Sequence, residues 1–455
     1  MKKTLILSSF ILILAVFGVK AEDKYIIKLN DSVNTLSADN ITIKYITVTE
    51  DELPEYLEAG VVEFYEPEYT VELFDTYEST GTSAPSWNNE MIKISKAWDL
   101  GCFGNDVKVA VIDSGVNAHD DLKDNLLPGY NFASNNTDVS DNIGHGTYVS
   151  GIIAAKANGS YIDGVANHAK IVPLKCFDTT KPSPSAALVG NAIRSAVDDF
   201  GCKVINMSFG GGSTWANQTL ADAVNYAISK NCIVVAAVGN SKIESIRKTL
   251  MFPAAYDNVV GVGAVDANSV VSYFSHYNAS VDVVAPGEGI ESIGTYSEDS
   301  GTSFSAPQVS ALAAIAACID KDITPQKFSV ALTSTCTDLG TTGRDNYYGY
   351  GLVNAEALVD KLLENTEVFI SPFSENNGEI SSTVYNNTEN LLQASAITGE
   401  YESTLLKNSS SNNIIIGAKQ TQKLTFTPST DKFKLMIWNN ASKISPLALY
   451  REYLK

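Results

Sequence analysis

The middle of the chain alternates between short runs that are apolar at nearly every position and longer stretches with apolar residues at helical spacing. The short runs are Val107–Ile112, Ile171–Phe177, Val204–Met207, Cys232–Val238, Val259–Val265 and Val281–Ala285, interrupted only by Lys108, Lys175, Asn206 and Asp282. Between them, Thr147–Ala155, Ala186–Phe200 and Leu220–Ser229 read as helices. A strand that shows no polar face must be covered on both sides, so this rhythm predicts a doubly wound parallel sheet in an α/β unit. After the last run comes Gly301-Thr302-Ser303-Phe304-Ser305-Ala306-Pro307, leading into the Ala-rich stretch Val309–Cys318. That stretch is apolar nearly all round and predicts a buried helix. Pro307 is expected in its first turn, where a missing N–H costs little.

The pattern differs on either side. Residues 22–75 hold strand-like Tyr25–Leu29 and Ile41–Ile46, a short helix over Asp51–Ala59, and a returning strand over Val61–Phe74. They predict a small α+β unit, too small to bury a sizeable core and in need of a surface to lean on. Residues 76–86 read as a small-residue polar linker to the main body at 87–366. Past residue 367 the pattern becomes alternating and helix-free, in Glu379–Tyr385, Asn413–Gly417, Lys423–Phe426 and Lys432–Trp438. This predicts an antiparallel β-sandwich-like domain over 367–455, with Trp438 in its core.

Residues 1–21 carry Lys2 and Lys3, an apolar run from Leu5 to Gly18, and small residues before Glu22. The run is too short for a membrane helix and reads as a signal peptide, with an uncleaved anchor as the alternative. Secretion is the expectation, with no membrane span once the signal is removed. The 455 residues are 44% apolar with a formal net charge of −20, which excludes disorder and argues against a nucleic-acid binder. Six scattered cysteines form no zinc pattern. Cys202 and Cys232 begin neighbouring predicted strands and are the first choice for a disulfide; Cys318–Cys336 is the second.

Three segments bring together a carboxylate, an imidazole and a hydroxyl. Asp113 ends the strand Val-Ala-Val-Ile-Asp-Ser-Gly. His145 opens a helix in Gly-His-Gly-Thr-Tyr-Val-Ser-Gly, and Ser303 lies at the mouth of the Ala-rich helix. A buried carboxylate can fix the tautomer of an imidazole, which can take the hydroxyl's proton and return it to a leaving amine. A helix N-terminus beside Ser303 favours the oxyanion its attack creates.

With Val204-Ile205-Asn206-Met207-Ser208 and Ala236-Ala237-Val238-Gly239-Asn240, these motifs make the segment from Trp87 to Leu363 resemble the subtilisin family of serine peptidases, whose order is Asp, His, Ser. The resemblance implies a secreted endopeptidase with catalytic Asp113, His145 and Ser303, and Asn240 as oxyanion donor. It implies that Ser208, Phe209 and Gly210 pair with an extended protein or peptide substrate, with Ala237 to Gly239 opposite. Met251, where the family commonly has glycine, would floor and shorten the P1 pocket, favouring medium apolar side chains. It implies that residues 22–75 are an inhibitory prodomain whose tail enters the cleft, with self-cleavage after Phe74. A structural Ca²⁺ is implied at Asp121 and Asn158, in the loop Ala157–Ile162. A monomer is expected. The rival reading is a catalytically silent binding relative.

Overall fold

The computed structural model describes residues 24–439 and 451–454, apart from 32, 34, 38, 75, 77–85, 213–216, 295–298, 377 and 431. The expected signal peptide and most of the linker lie outside the described residues.

The main body is built on seven parallel strands. They are β1 (Lys108–Asp113), β2 (Tyr130–Asn131), β3 (Lys170–Lys175), β4 (Val204–Met207), β5 (Ile233–Ala237), β6 (Val260–Val265) and β7 (Val283–Pro286), in the order β2-β3-β1-β4-β5-β6-β7. The doubly wound parallel sheet expected from the short apolar runs is thus present. Side chains alternate between two cores. Val109, Val111, Val235 and Ala237 join one; Ala110, Ile112, Val234 and Ala236 join the other. The first core is covered by α1 (His145–Ala154) and α4 (Thr302–Ile319), the second by α2 (Ala186–Asp198) and α3 (Gln218–Ser229). The chain reverses its direction of growth between β1 and β4, the place where open parallel sheets form their crevice. α4 is long and apolar enough to cross a membrane, but 94% of it is buried inside the protein, so it serves as the central core helix.

Pro307 is not in the first turn of α4 but a turn further in. It therefore leaves the carbonyl of Ser303, four residues earlier, without its helical N–H. The Ser208 hydroxyl fills that place, donating to the Ser303 carbonyl at 2.9 Å.

Residues 24–74 form a three-stranded antiparallel sheet from Tyr45–Thr49, Lys24–Leu29 and Val62–Pro67, with a helix over Leu53–Glu58. This unit does lean on the main body. Ile26, Ile41 and Tyr45 are buried in the same cluster as α2 and α3. The Asn191 amide of α2 bonds the backbone of Tyr45, accepting from its N–H at 3.0 Å and donating to its carbonyl at 2.8 Å. Tyr45, Lys28 and Arg194 all donate to the Asp222 carboxylate of α3. The Glu66 carboxylate caps α3, accepting from the N–H groups of Gln218 and Thr219 at 2.9 and 2.7 Å, where the helix dipole favours an anion. The strand expected over Val61–Phe74 breaks after Pro67, because the rest pairs with the main body instead.

The C-terminal residues form two four-stranded antiparallel sheets sharing a core of Ile380, Val384, Ile414, Phe433, Leu435 and Ile437. The strand Leu392–Glu402 was not expected. Trp438 lies half-buried outside that core, since the inward positions of its strand are Phe433, Leu435 and Ile437.

All six cysteines are free thiols. The register pairs Val204 with Ile233 and so sets Cys232 opposite Lys203, one residue off Cys202. Cys318 meets Cys102 rather than Cys336, whose sulfur donates to the Leu332 carbonyl at 3.3 Å.

Candidate active site

β1 delivers Asp113 at its carboxyl end, fully buried. Its carboxylate faces His145 Nδ1 at 2.9 and 3.0 Å and accepts the Ser114 N–H at 2.7 Å. The acceptor carboxylate places the proton on Nδ1, which leaves Nε2 as the basic nitrogen. Gly146 makes this approach possible. A Cβ there would lie 2.2 Å from the Gly115 carbonyl oxygen and 3.0 Å from the Asp113 Cβ, forcing acid and imidazole apart.

The first turn of α1 is held by Asp141, which the sequence reading missed. Its carboxylate accepts from the N–H groups of Gly144 and Thr147 and from the Thr147 hydroxyl, at 2.7, 2.9 and 2.7 Å. An acidic residue just before an apolar helix was the available signal. Burial alone would depress the His145 imidazole. The Asp113 charge and hydrogen bond, with Asp141 and Asp299 further off, outweigh it and hold its pKa above the ordinary histidine value.

Ser303 is fully buried in the first turn of α4. Its hydroxyl donates to the Ser208 carbonyl at 3.0 Å rather than to His145, whose Nε2 has no hydrogen-bond partner among the described residues. Ser303 and Ser208 are thus clasped in both directions. The Asn206 amide steadies the clasp, donating to the Ser208 hydroxyl at 3.0 Å. Phe304 packs its ring 5.8 Å from that of His145 and 4.8 Å from that of Tyr148, walling the imidazole from below.

Asn240 follows β5. Its Oδ1 accepts the N–H and hydroxyl of Thr302, at 3.0 and 2.8 Å. Both bonds go to the amide oxygen, so the amide N–H groups are turned away from Thr302. Nδ2 lies 3.0 Å from where a Cβ on Gly301 would sit, beside the turn that leads to Ser303.

The groove strand Phe209–Gly212 lies between Met251–Phe252 and a segment of the N-terminal unit, Glu72–Leu73, antiparallel to both. Leu73 registers with Phe209 and Glu72 with Gly210. On the tail's other side, Val71 N–H donates to the Pro184 carbonyl and Ala186 N–H to the Tyr69 carbonyl. The tail is therefore the middle strand of a groove. Its Phe74 ring is buried over Gly210, 2.6 Å from where a Cβ would stand, so any larger residue would evict it. Met251 rests against Gly239 and Gly212 instead. An unbranched methionine and an aromatic ring are thus both accommodated here. Ala237 is buried in the sheet behind.

Away from the cleft, Asn158 Nδ2 donates to Asp121 Oδ1 at 2.7 Å. Asp121 is 3% exposed, and its Oδ2 has no hydrogen-bond partner among the described residues. The Asn89 amide oxygen is likewise orphaned, while its nitrogen donates to the Asp163 carbonyl next to the same loop. Among the described residues no cluster of three His, Cys, Asp or Glu side chains could hold a metal. A buried carboxylate oxygen without a hydrogen-bond partner is a hard donor of the kind calcium takes, while the Asn158 amide turns its nitrogen to Asp121 and its oxygen to the Ser160 N–H.

Residues 104–351 match the Subtilase family. The chain is 34% identical over 328 residues to the minor extracellular protease Epr of Bacillus subtilis (strain 168), covering 71% of this chain and 49% of that protein. It is 37% identical over 286 residues to the alkaline protease of Alkalihalobacillus alcalophilus, covering 62% of this chain and 72% of the relative. With subtilisin Savinase of Lederbergia lenta it shares 38% identity over 274 residues, 60% of this chain and 97% of the relative. The chain spans about half the length of the first of these relatives. With its seven-stranded parallel sheet and this matched region, the chain belongs to the subtilase family of serine endopeptidases.

Proposed function

We propose that the protein is a secreted, self-processing endopeptidase that cuts extended polypeptides through an acyl-enzyme. The observation that carries this reading is the tail: an extended segment of the chain lies antiparallel on Phe209–Gly212, with Phe74 seated over Gly210. Substrate would add as a strand in the same place. The Ser303 hydroxyl turns about its Cα–Cβ bond from the Ser208 carbonyl to His145 Nε2, gives up its proton and attacks the scissile carbonyl. Asp113 holds the imidazole and stabilises it once protonated. The Ser303 N–H and the Asn240 amide take the oxyanion. His145 then protonates the leaving amine, and water repeats the sequence to release the acyl segment.

A fluorophosphonate probe should label Ser303 in the processed enzyme. Failure to label or to cleave any peptide would overturn the reading. The imidazole must be unprotonated to act, so kcat/KM should rise with pH. The raised His145 pKa sets the acid limb above the ordinary histidine value of about 6.5. A limb at or below that value would contradict the Asp113–His145 geometry.

Residues 22–74 act in this reading as the inhibitory prodomain, held by the Asp222 cluster and by Glu66 on α3. Sequencing of secreted enzyme should give a mature chain beginning at Asp75. A start within 77–86 would move the cut into the linker.

Asp121 and Asn158 would hold a structural calcium ion, which neutralises the orphaned carboxylate oxygen and stiffens the 157–162 loop. Excess chelator should then lower Tm by about 5–10 °C. That range follows from about 2.7 kcal/mol of binding stabilisation at ligand a hundredfold above Kd and about 2–4 °C per kcal/mol. Asp121→Ala should abolish the shift. No shift in the parent protein would rule the ion out.

A further inference from the structure

Asp299 stands where nothing in the peptide-bond chemistry requires an acid. It precedes the Ser300–Gly301–Thr302 turn that delivers Ser303 and is held by reciprocal backbone bonds with Ile290, at 2.9 and 3.0 Å. It is 7% exposed. One carboxylate oxygen accepts the Ser300 N–H at 2.7 Å, and the hydroxyl of Thr76 also donates to the group. Among the described residues the one basic group acting on it is the His145 imidazole, a cation only when protonated. A nearly buried carboxylate with so few donors is costly and gains from any further one.

The tail's register gives Thr76 its meaning. Leu73 and Glu72 pair with Phe209 and Gly210, on the acyl side of the groove, and Phe74 fills the pocket over Gly210. Thr76 lies two residues further along, on the side that departs with the amine. We propose that Asp299 is a specificity determinant for the leaving segment, selecting a hydrogen-bond-donating side chain, hydroxyl or cationic, at the second residue beyond the bond cut. This rests on the peptidase reading above. The carboxylate accepts from that side chain, and an acidic residue there is repelled.

The test uses mature enzyme and peptides that share an acyl segment ending in Phe and differ only in the second residue beyond it: Lys, Thr, Val or Glu. Pairs compete in one tube, so the ratio of their kcat/KM values does not depend on how much enzyme is active. Mass spectrometry fixes the bond cut. Lys and Thr should outrun Val, and Lys should outrun Glu by about tenfold, the scale of a charge-assisted hydrogen bond. The Lys-over-Glu ratio should collapse in Asp299→Asn and reverse in Asp299→Lys. A flat order in the parent enzyme, or an order unchanged in both variants, overturns the assignment while leaving the peptidase reading intact. Absence of any cleavage, with no fluorophosphonate label on Ser303, overturns both.

Discussion

Ser303→Ala is expected to lower turnover by roughly 10⁶-fold, the magnitude known for the nucleophile of subtilisin, a relative of this chain. Purified precursor of the variant should keep residues 22–74 attached indefinitely, because the same hydroxyl opens that bond. The fold should survive. The substitution removes one donor, the Ser303 hydroxyl on the Ser208 carbonyl, and leaves that buried carbonyl short of one hydrogen bond. The cost is about 1 kcal/mol. Active-site titration, intact mass and a thermal melt of the same sample separate these effects. A variant that processes itself at the parent rate would remove Ser303 from the chemistry.

Asn240→Ala is the second large effect. Loss of one oxyanion donor should reduce kcat by roughly 10²–10³-fold with KM changed little, again a magnitude known from subtilisin. The reason lies in Thr302. Its N–H and hydroxyl both bind the amide oxygen, so the amide is oriented before substrate arrives and costs no reorganisation during attack. Thr302→Val, which keeps the N–H and loses the hydroxyl, should show a smaller fall in kcat in the same direction. A rise in KM at constant kcat for Asn240→Ala would instead make the residue a ground-state contact.

Much of this was legible in the residue pattern. Strands buried on both faces need largely apolar runs, and the sheet's central strands carry them. Polar residues at strand ends and helix mouths, Asp113, His145 and Ser303, stood out because those positions open into the crevice. The tail was harder to read. Its apolar residues run on from the preceding strand, and only the partner, Phe209–Gly212, decides that pairing changes after Pro67. Asp141, Thr302 and Asp299 were missed because each works through backbone groups or a neighbour distant in sequence. The cysteine pairings failed for a similar reason: a one-residue offset between adjacent strands cannot be read from spacing.

Pro307 carries a further consequence. By withholding one helical hydrogen bond it ties the backbone of Ser303 to Ser208, next to the strand on which the tail lies. Reshaping that strand to accept new side chains would therefore shift the attacking oxygen as well. Engineers seeking altered selectivity here should expect every gain at Ser208–Gly210 to be coupled to rate, whereas Met251, against Gly239 and Gly212, is not part of that tether.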